Sequence, residues 1–234
     1  MNSWLLINSG RCGAAINMAL DEALLENGAR FGKPVLRFYG WTEPAATFGY
    51  FQKFSEVERA THLRPLIRRP TGGGIVPHDA DWTYSAVFPP GHEWHSLKAE
   101  ESYRRIHNWL RLGFAELKVE TELALEKKAE SGKRKAEIPG ACFVGHEKSD
   151  LLWRGKKIAG AAQRRNKLGL LIQGSVQPPP VPLKRSDWEN ALCAVAEKHF
   201  TVTWTDFAPD AKLHDQADAL ARKKFSLAGY NQKR

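Results

Sequence analysis

The most informative segment of the chain is Arg68-Arg69-Pro70-Thr71-Gly72-Gly73-Gly74-Ile75-Val76-Pro77-His78-Asp79. Its three consecutive glycines allow backbone conformations that other residues cannot adopt, and they let a ligand approach the main chain closely. The two arginines ahead of them can hold a phosphate or a carboxylate. The stretch is neither a Walker loop, since no Gly-Lys-Ser/Thr follows, nor a dinucleotide fingerprint. Two interpretations stay open here: a ligand-binding loop, or a glycine turn beside a solvated arginine pair.

A second informative segment is Gly155-Lys156-Lys157-Ile158-Ala159-Gly160-Ala161-Ala162-Gln163. Small residues at 159–162 in a strand would leave a groove wide enough for an unbranched ligand. A lysine at the start of this strand could place its ammonium on a carbonyl oxygen. The alternative is an exposed basic hairpin, whose charges would contribute little to stability.

Cys142 is the third candidate. It follows Pro139-Gly140 in a loop, 15 residues before Lys157 and close to several cations, and this environment favours the thiolate. The alternative is an inert core cysteine, which fits Cys12 and Cys193 better.

The rest of the sequence mixes helical periodicity with short β-rich runs. Helices are expected from Gly13 to Asn27 with Gly28 as the C-terminal cap, around Tyr103 to Leu117, from a capping box at Ser186 and Glu189 onward, and from about Asp210 to Lys224. Strands are expected at 35–39, 46–51, 66–69, 82–88, 150–153, 156–163 and 170–176. The lysine-rich segment 126–137 is expected to be a solvated loop, and the proline-rich segment 177–182 a connector to the C-terminal helices. Because no regular βαβ alternation occurs, we predict a single α+β domain over residues 1–234.

The composition excludes several classes of protein. The 234 residues include 35 Lys and Arg against 26 Asp and Glu, which gives a net charge of +9. Hydrophobic residues make up 42% of the chain, which is too large a share for a disordered protein. No apolar run approaches the roughly 20 residues of a membrane span, and no secretory signal is expected. Three cysteines without a CxxC pair predict a reduced, cytoplasmic protein with neither a disulfide framework nor a zinc site. His92 and His95 are expected in a surface loop, so no metal site is predicted.

Together these segments resemble the lipoate protein ligase A / biotin protein ligase superfamily of protein-acylating enzymes. The superfamily pattern Arg-Arg-x-x-Gly-Gly-Gly-x-Val-x-His-Asp is matched at 68–79, and the pattern Gly-x-Lys-Ile-x-Gly-x-Ala-Gln at 155–163. Further matches are Asn17–Glu22, Leu36–Trp41, Phe48–Gln52 and Leu171–Val176. The resemblance implies an α+β fold with a mixed β-sheet core flanked by helices, related to the catalytic cores of class II tRNA synthetases.

Within the superfamily, the chain most resembles the cysteine-dependent octanoyltransferases. These carry a Cys-Phe ahead of the motif lysine, as this sequence does at Cys142-Phe143. The resemblance implies that Cys142 takes an octanoyl or lipoyl group from acyl-carrier protein and passes it to a lysine of a lipoyl domain or of the glycine-cleavage H protein, while Lys157 polarises the carbonyl. The substrate-binding residues that it implies are Arg69, Thr71, Gly72, Gly73, Gly74, His78, Asp79, Gly160, Ala161, Ala162, Gln163 and Ser175. For His78 a structural role and direct chemistry both stay open. No cofactor is implied on this route.

Two alternatives remain. The first is an ATP-dependent lipoate or octanoate ligase, since ligases more often have three glycines where octanoyltransferases commonly place Arg at the position of Gly74. ATP and Mg²⁺ would then be required and Cys142 would be incidental. Gln173 is a further departure, because the family pattern usually has His there. The second alternative is a non-catalytic relative that binds a carrier protein or nucleic acid through its basic surface.

The resemblance suggests that the net positive charge serves to bind acidic protein partners. Acyl-carrier proteins are typically acidic, so we expect them and the acceptor domains to dock on a basic face, with no membrane or nucleic-acid partner and with the chain as a monomer. The basic residues that flank the expected site are Lys133, Arg134, Lys135, Lys156, Arg164, Arg165 and Lys167.

Overall fold

A computed structural model of the chain describes residues 2–125 and 146–233. The strands are β1 (Asn2–Cys12), β2 (Val35–Trp41), β3 (Ala45–Phe48), β4 (Leu66–Arg68), β5 (Val76–His78), β6 (Trp82–Phe88), β7 (Glu122–Leu123), β8 (Leu151–Trp153), β9 (Lys156–Asn166), β10 (Gly169–Val176) and β11 (Val202–Asp206). The helices are α1 (Ala14–Glu26), α2 (Gly28–Phe31), α3 (Phe54–Ala60), α4 (Glu93–Ser96), α5 (Ala99–Glu116), α6 (Arg185–Phe200), α7 (Ala211–Leu220), which runs on into a π-helical turn (Ala221–Phe225), and α8 (Ala228–Asn231).

Two sheets organise these elements. The large sheet has eight strands in the order β11-β1-β2-β6-β10-β9-β8-β7. It is mixed, because β1 runs parallel to β11 and β2 while the pairs from β2 to β7 are antiparallel. The small sheet has the order β4-β3-β5 and carries the residues on either side of the glycine stretch. The prediction of an α+β fold with a mixed sheet and flanking helices is confirmed, and the second sheet is an addition to it.

The face of the large sheet under α5 and α6 is apolar. Phe38 of β2 and Ile172 of β10 are buried there, and the Trp188 ring of α6 packs on Phe38 with a centroid distance of 5.5 Å. The indole of Trp109 in α5 donates to the carbonyl of Leu192 at 2.8 Å, which ties the two helices together. Each such buried side chain contributes about 1.5–3 kcal/mol, so this face supplies much of the stability of the fold.

The opposite face of the same sheet is polar. Arg37, Ser85, Gln173 and Ala162 are direct neighbours across β2, β6, β10 and β9. Helix α1 covers one part of this row and the small sheet lies near the rest. Strand residues alternate between faces, so the strands that build the apolar core also present these polar side chains to the space beneath α1.

Two local predictions about helix ends are wrong. Helix α1 is capped by Asn27, while Gly28 begins α2, where a Cβ would lie 3.2 Å from the Leu168 carbonyl oxygen. The capping box does not form, because α6 already begins at Arg185 and the Glu189 carboxylate accepts from the Arg185 guanidinium at 2.7 Å.

Most other local predictions are confirmed. The hairpin turn at Arg154-Gly155 has φ values of +49° and +73°, and 177–182 forms a connector without helix or strand. The expectation of a loop at His92 and His95 is wrong, because His92 caps the short helix α4 and His95 lies within it. The predicted loop at 126–137 lies outside the described residues. In the two described ranges, no helix is both long enough and apolar enough to cross a bilayer.

Candidate active site

A narrow cavity lies between the polar face of the large sheet and the small sheet. Seven of the residues nominated from the sequence line it: Arg69, Gly73, His78, Gly160, Ala161, Ala162 and Ser175. The structure thus brings the glycine stretch and the small-residue strand to one space, although they are far apart in sequence.

Arg69 holds the glycine loop in shape. Its guanidinium donates to the carbonyl oxygens of Gly72 at 2.7 Å and Gly74 at 2.8 Å, and Gly73 between them has a φ of +86°. Arg68 is fully buried and donates to the backbone of Tyr50. The interpretation of the arginines as a solvated pair is therefore wrong, and much of their hydrogen-bonding capacity is used on the backbone.

Gly49 is required by the close approach of the glycine loop, and it lies in the matched segment Phe48–Gln52 although it was not nominated as a site residue. A Cβ on Gly49 would lie 1.9 Å from the carbonyl oxygen of Gly73, a distance at which the backbone must move. The amide of Tyr50 donates to the carbonyl of Thr71 at 2.8 Å and locks the two segments together. The conformation of the loop is thus fixed by its neighbour as well as by its own glycines.

His78 is buried and held on three sides. Its Nδ1 is 2.9 Å from Asp81 Oδ2, its Nε2 is 2.8 Å from Thr47 Oγ1, and its ring stacks on Trp41 with a centroid distance of 3.8 Å. Because an ionised carboxylate only accepts, Nδ1 donates to Asp81, and Nε2 then accepts from Thr47. This arrangement places His78 in the wall of the cavity.

Asp81, two residues beyond the motif, is the buried acid of this part of the site. It accepts from the hydroxyls of Thr83 at 2.8 Å and Ser175 at 2.7 Å, in addition to His78. Asp79 is exposed and does not line the cavity, so its nomination as a substrate-binding residue is not supported by its position.

A second buried acid, Asp21 of α1, organises the polar row of the sheet. Its Oδ1 accepts from Arg37 and Ser85, each at 2.7 Å, and its Oδ2 accepts from Tyr39 at 3.0 Å and Gln173 at 2.7 Å. Burial and the neighbouring Asp21 carboxylate raise the pKa of Tyr39 well above its usual value, so this hydroxyl stays a donor. A buried ion pair with every lone pair engaged is costly to disrupt, which makes this wall of the cavity rigid.

Lys157 is held in an ion pair next to the cavity. Its Nζ lies 2.8 Å from Asp150 Oδ2, and the two side chains are only 6% and 8% exposed. The lysine folds across Gly160, where a Cβ would lie 2.8 Å from Lys157 Cε and 3.0 Å from Nζ. The absence of a side chain at Gly160 is therefore what gives the ammonium its place at the cavity wall.

Asp150 is presented by a tight turn. Its Oδ2 also accepts from the backbone amide of Glu147 at 2.7 Å, and Ser149 has a φ of +70°. His107 of α5 is buried close by, and burial lowers its pKa to about 4; the Asp150 carboxylate raises this pKa by a smaller amount, and the Lys157 ammonium lowers it further. His107 is neutral at pH 7, so it does not compete with Lys157 for the Asp150 carboxylate.

Other nominated residues lie away from the cavity lining. Thr71 is buried and donates to Gln173 at 2.8 Å, while Gln163 turns to the start of α5, where its amide donates to the Ala99 carbonyl at 3.1 Å. The Gln163 side chain therefore serves to hold α5 on the sheet. Cys142 lies outside the described residues.

The remaining histidines and cysteines offer no further chemistry. Among the residues that the structure describes, no three His, Cys, Asp or Glu side chains are grouped so as to hold a metal ion. His95 is hydrogen-bonded to the backbone carbonyl of Asn166 at 2.9 Å. Burial, assisted by nearby carboxylates, raises the pKa of the Cys193 thiol to about 12, so this thiol is unreactive at neutral pH.

The predicted basic face is only partly available. Arg164 pairs with the buried Glu22 carboxylate at 2.8 Å, and Arg165 donates to the backbone carbonyls of Trp94 and His95. Lys156 and Lys167 are exposed, as expected. The cluster Lys133, Arg134 and Lys135 lies outside the described residues.

Residues 13–177 match the family model of the lipoyl protein ligase A/B catalytic domain, and the chain belongs to this family. The resemblance seen in the sequence is thereby confirmed. Among curated relatives, the chain is similar to the octanoyltransferase LipM of Anoxybacillus flavithermus, with 38% identity over 183 residues, 74% of this chain and 64% of the relative. LipM of Bacillus subtilis is 38% identical over 182 residues, 74% of this chain and 65% of the relative. The matched part thus spans just under two thirds of the length of these relatives.

Solved structures support the fold. A lipoate-protein ligase A bound with ATP superposes with a TM-score of 0.78 at 21% identity, covering 99% of each chain. A bipartite lipoate protein ligase from Thermoplasma acidophilum superposes with a TM-score of 0.74 at 19% identity, covering 99% of this chain and 97% of that one.

Proposed function

We propose that the chain is an octanoyltransferase, which moves an octanoyl group from acyl-carrier protein through a thioester on Cys142 to a lysine of a lipoyl domain or of the glycine-cleavage H protein. The observation that carries the proposal is the buried Lys157–Asp150 pair, folded over Gly160 at the wall of the cavity. The identity of the curated relatives as octanoyltransferases supports the choice of this reaction within the family.

The first step is a thiol exchange. The Cys142 thiolate attacks the carbonyl carbon of the donor thioester, and the carbon–sulfur bond to the carrier then breaks and releases the carrier thiol. A thioester is exchanged for a thioester, so the step needs no nucleotide and no metal. We accordingly propose that the enzyme uses no cofactor.

The second step forms the amide. The neutral amine of the acceptor lysine attacks the acyl carbon on Cys142, the carbon–sulfur bond breaks, and one amine proton passes to the departing sulfur, which regenerates the Cys142 thiol. Both steps place negative charge on the carbonyl oxygen. Lys157 is the residue that we assign to stabilise this charge, because its ammonium is already fixed and mostly withdrawn from water.

The cavity receives the acyl chain. Gly160 and Ala162 present no side chain beyond a methyl group along one wall, the Ala161 methyl between them packs on the apolar core of the other face, and Gly73 faces this wall from the glycine loop. The side chains of Arg69 and His78 are hydrogen-bonded to other protein groups, so an alkyl chain beside them desolvates few polar atoms. Asp81 accepts three hydrogen bonds through its Oδ2, while its Oδ1 is buried without a partner among the described residues. These residues therefore shape the cavity, and we assign them no step in the reaction.

The partners and the location belong to the same proposal. Acidic carrier and acceptor domains would approach over exposed lysines such as Lys156 and Lys167, and electrostatic attraction would raise the association rate more than the chemical step. We place the reaction in the cytoplasm.

The triple glycine favours one competing function, an ATP-dependent lipoate or octanoate ligase. Here Gly72, Gly73 and Gly74 would approach an acyl-adenylate, and Cys142 would not take part. The two proposals make opposite statements about nucleotide and about Cys142, so one assay separates them.

The experiment is an acyl transfer assay read by the intact mass of the acceptor. The protein is incubated with octanoyl-acyl-carrier protein and a lipoyl domain in the absence of nucleotide, and in parallel with octanoate, ATP and Mg²⁺. The proposal expects acylation only from the carrier donor, and its loss in Cys142→Ala with retention in Cys193→Ala. Acylation that needs ATP and survives Cys142→Ala would establish the ligase instead.

A further inference from the structure

The register of β9 and β10 indicates which way an acyl chain would run through the cavity. Lys157 lies over Gly160, and Ala162 is two residues further along β9, about 7 Å away at the usual rise of a strand. Ser175 of β10 is opposite Gly160, and Gln173 is opposite Ala162. An acyl chain whose carbonyl is near Lys157 and that follows the small residues of β9 therefore runs towards Gln173.

Gln173 closes the cavity at that end. Its side-chain oxygen accepts from the Thr71 hydroxyl at 2.8 Å, and its nitrogen donates to Asp21 Oδ2 at 2.7 Å and contacts Met18 Sδ at 3.4 Å. Gln173 and Met18 are 6% and 1% exposed and both line the cavity. The amide is thus pinned at both ends and cannot rotate away without breaking two buried hydrogen bonds.

We propose that Gln173, backed by Met18, is the specificity-determining residue that sets the maximum length of the acyl chain. This inference rests on the proposed acyl transfer, and it identifies the length of the acyl chain as the feature of the substrate that the protein selects. A chain that reaches Gln173 ends against a hydrogen-bonded amide instead of a mobile apolar side chain. The end of an extended octanoyl chain lies against this barrier, and a longer chain must displace it.

Gln173 excludes longer acyl chains because they would leave buried polar groups without hydrogen-bond partners. To pass it, a longer chain must displace the amide of Gln173 and leave the Thr71 hydroxyl and one lone pair of Asp21 without their partner. A buried group left unsatisfied in this way reduces binding by about ten- to a hundredfold. Since Thr71 belongs to the glycine loop, displacement also disturbs the loop and lowers the rate of transfer along with the affinity.

The substitution Gln173→Ala removes the barrier and keeps the rest of the wall. Asp21 retains its donors Arg37, Ser85 and Tyr39 in this variant, so the buried ion pair stays satisfied. Met18→Ala opens the same end without touching either hydrogen bond of the amide to Thr71 and Asp21. Gln232→Ala serves as the matched control, because this glutamine is exposed near the C-terminus.

The experiment compares octanoyl, decanoyl and dodecanoyl carrier proteins as donors by kcat/KM, and the binding of octanoate, decanoate and dodecanoate by calorimetry. In Gln173→Ala the dodecanoyl-to-octanoyl ratio is expected to rise at least about tenfold, with a smaller rise in Met18→Ala and none in Gln232→Ala. An unchanged ratio in both cavity variants, with octanoyl transfer retained, would overturn the assignment of Gln173. Failure of the unmodified protein to transfer octanoyl at all would instead reject the proposed function, and the calorimetric ratio would still test the barrier.

Discussion

Replacing Asp150 with asparagine removes the counter-charge of Lys157 and keeps the shape of the side chain. The variant retains an oxygen that accepts from the Glu147 amide, so the turn before β8 is preserved. Loss of one partner from a buried ion pair costs about 3–5 kcal/mol. The amide oxygen of the substituted side chain can still accept from the ammonium, so we expect a loss near the lower end of that range.

We expect Asp150→Asn to lower kcat as well as the stability of the fold. An ammonium that has lost the Asp150 carboxylate at a site that is 6% exposed is expected to swing towards water and leave its place over Gly160. Removal of one group that stabilises an oxyanion lowers kcat by about a hundred- to a thousandfold. We therefore expect kcat for octanoyl transfer to fall within this range, with little change in KM, because the acyl cavity itself is unaltered.

The assay combines single-turnover transfer, followed by acceptor mass, with urea unfolding at pH 7. Asp218→Asn, at an exposed position of α7, is the control and is expected to match the unmodified protein in both measurements. In the double variant Asp150→Asn/Lys157→Met no unpaired charge remains, so its stability should exceed that of Asp150→Asn. Strictly additive losses of stability, or a kcat within about threefold of the unmodified protein when the expected loss is a hundredfold or more, would refute the assigned role of the pair.

Three further changes test other parts of the site. Gly49→Ala places a methyl group against the Gly73 carbonyl and is expected to abolish transfer and lower the melting temperature. The control Gly229→Ala, in open space on α8, is expected to leave both activity and melting temperature unchanged or slightly raised. The same melting temperature and activity in the two variants would contradict the packing described. His107 binds its proton near pH 4 in the folded protein and near pH 6.5 in the unfolded chain, so the unfolded state binds more protons between these values. The free energy of unfolding therefore falls by about 3 kcal/mol as the pH drops through this window. Urea unfolding at pH 7 and pH 4.5 should show a smaller fall for His107→Asn than for the unmodified protein, and an equal fall would refute the assignment. Asn231→Ala removes a buried acceptor of the β4 backbone and is expected to cost about 1–3 kcal/mol in the same unfolding assay, and a loss below about 0.5 kcal/mol would contradict it.

Most of the fold follows from local pattern. Periodicity locates β6 at its observed bounds and α1 within a residue at each end. The failures are at helix ends, where the pattern Ser186–Glu189 satisfies the rule for a capping box but Arg185 binds the Glu189 carboxylate instead. Competition between side chains for one partner depends on distances that the sequence does not contain.

The candidate site divides in the same way. Motif residues such as Gly73 and Gly160 act through the absence of a side chain, which a sequence shows directly. Buried acids are harder to predict: Asp21 lies four residues after Asn17 on a helix whose apolar positions are evident, and its partner Arg37 interrupts an apolar strand, so a search for paired buried charges could have found it. Asp81 offered no such signal, because its role arises only where β5, β6 and β10 meet.

The proposed reaction requires that the acyl group passes through Cys142. The most direct measurement is the intact mass of the protein after incubation with octanoyl-acyl-carrier protein without acceptor or nucleotide, followed by peptide mapping. We expect a single octanoyl adduct on Cys142 that is removed by hydroxylamine and disappears on addition of a lipoyl domain as the domain gains the same mass. An unmodified protein that still acylates the domain, or an adduct on another residue, would contradict it.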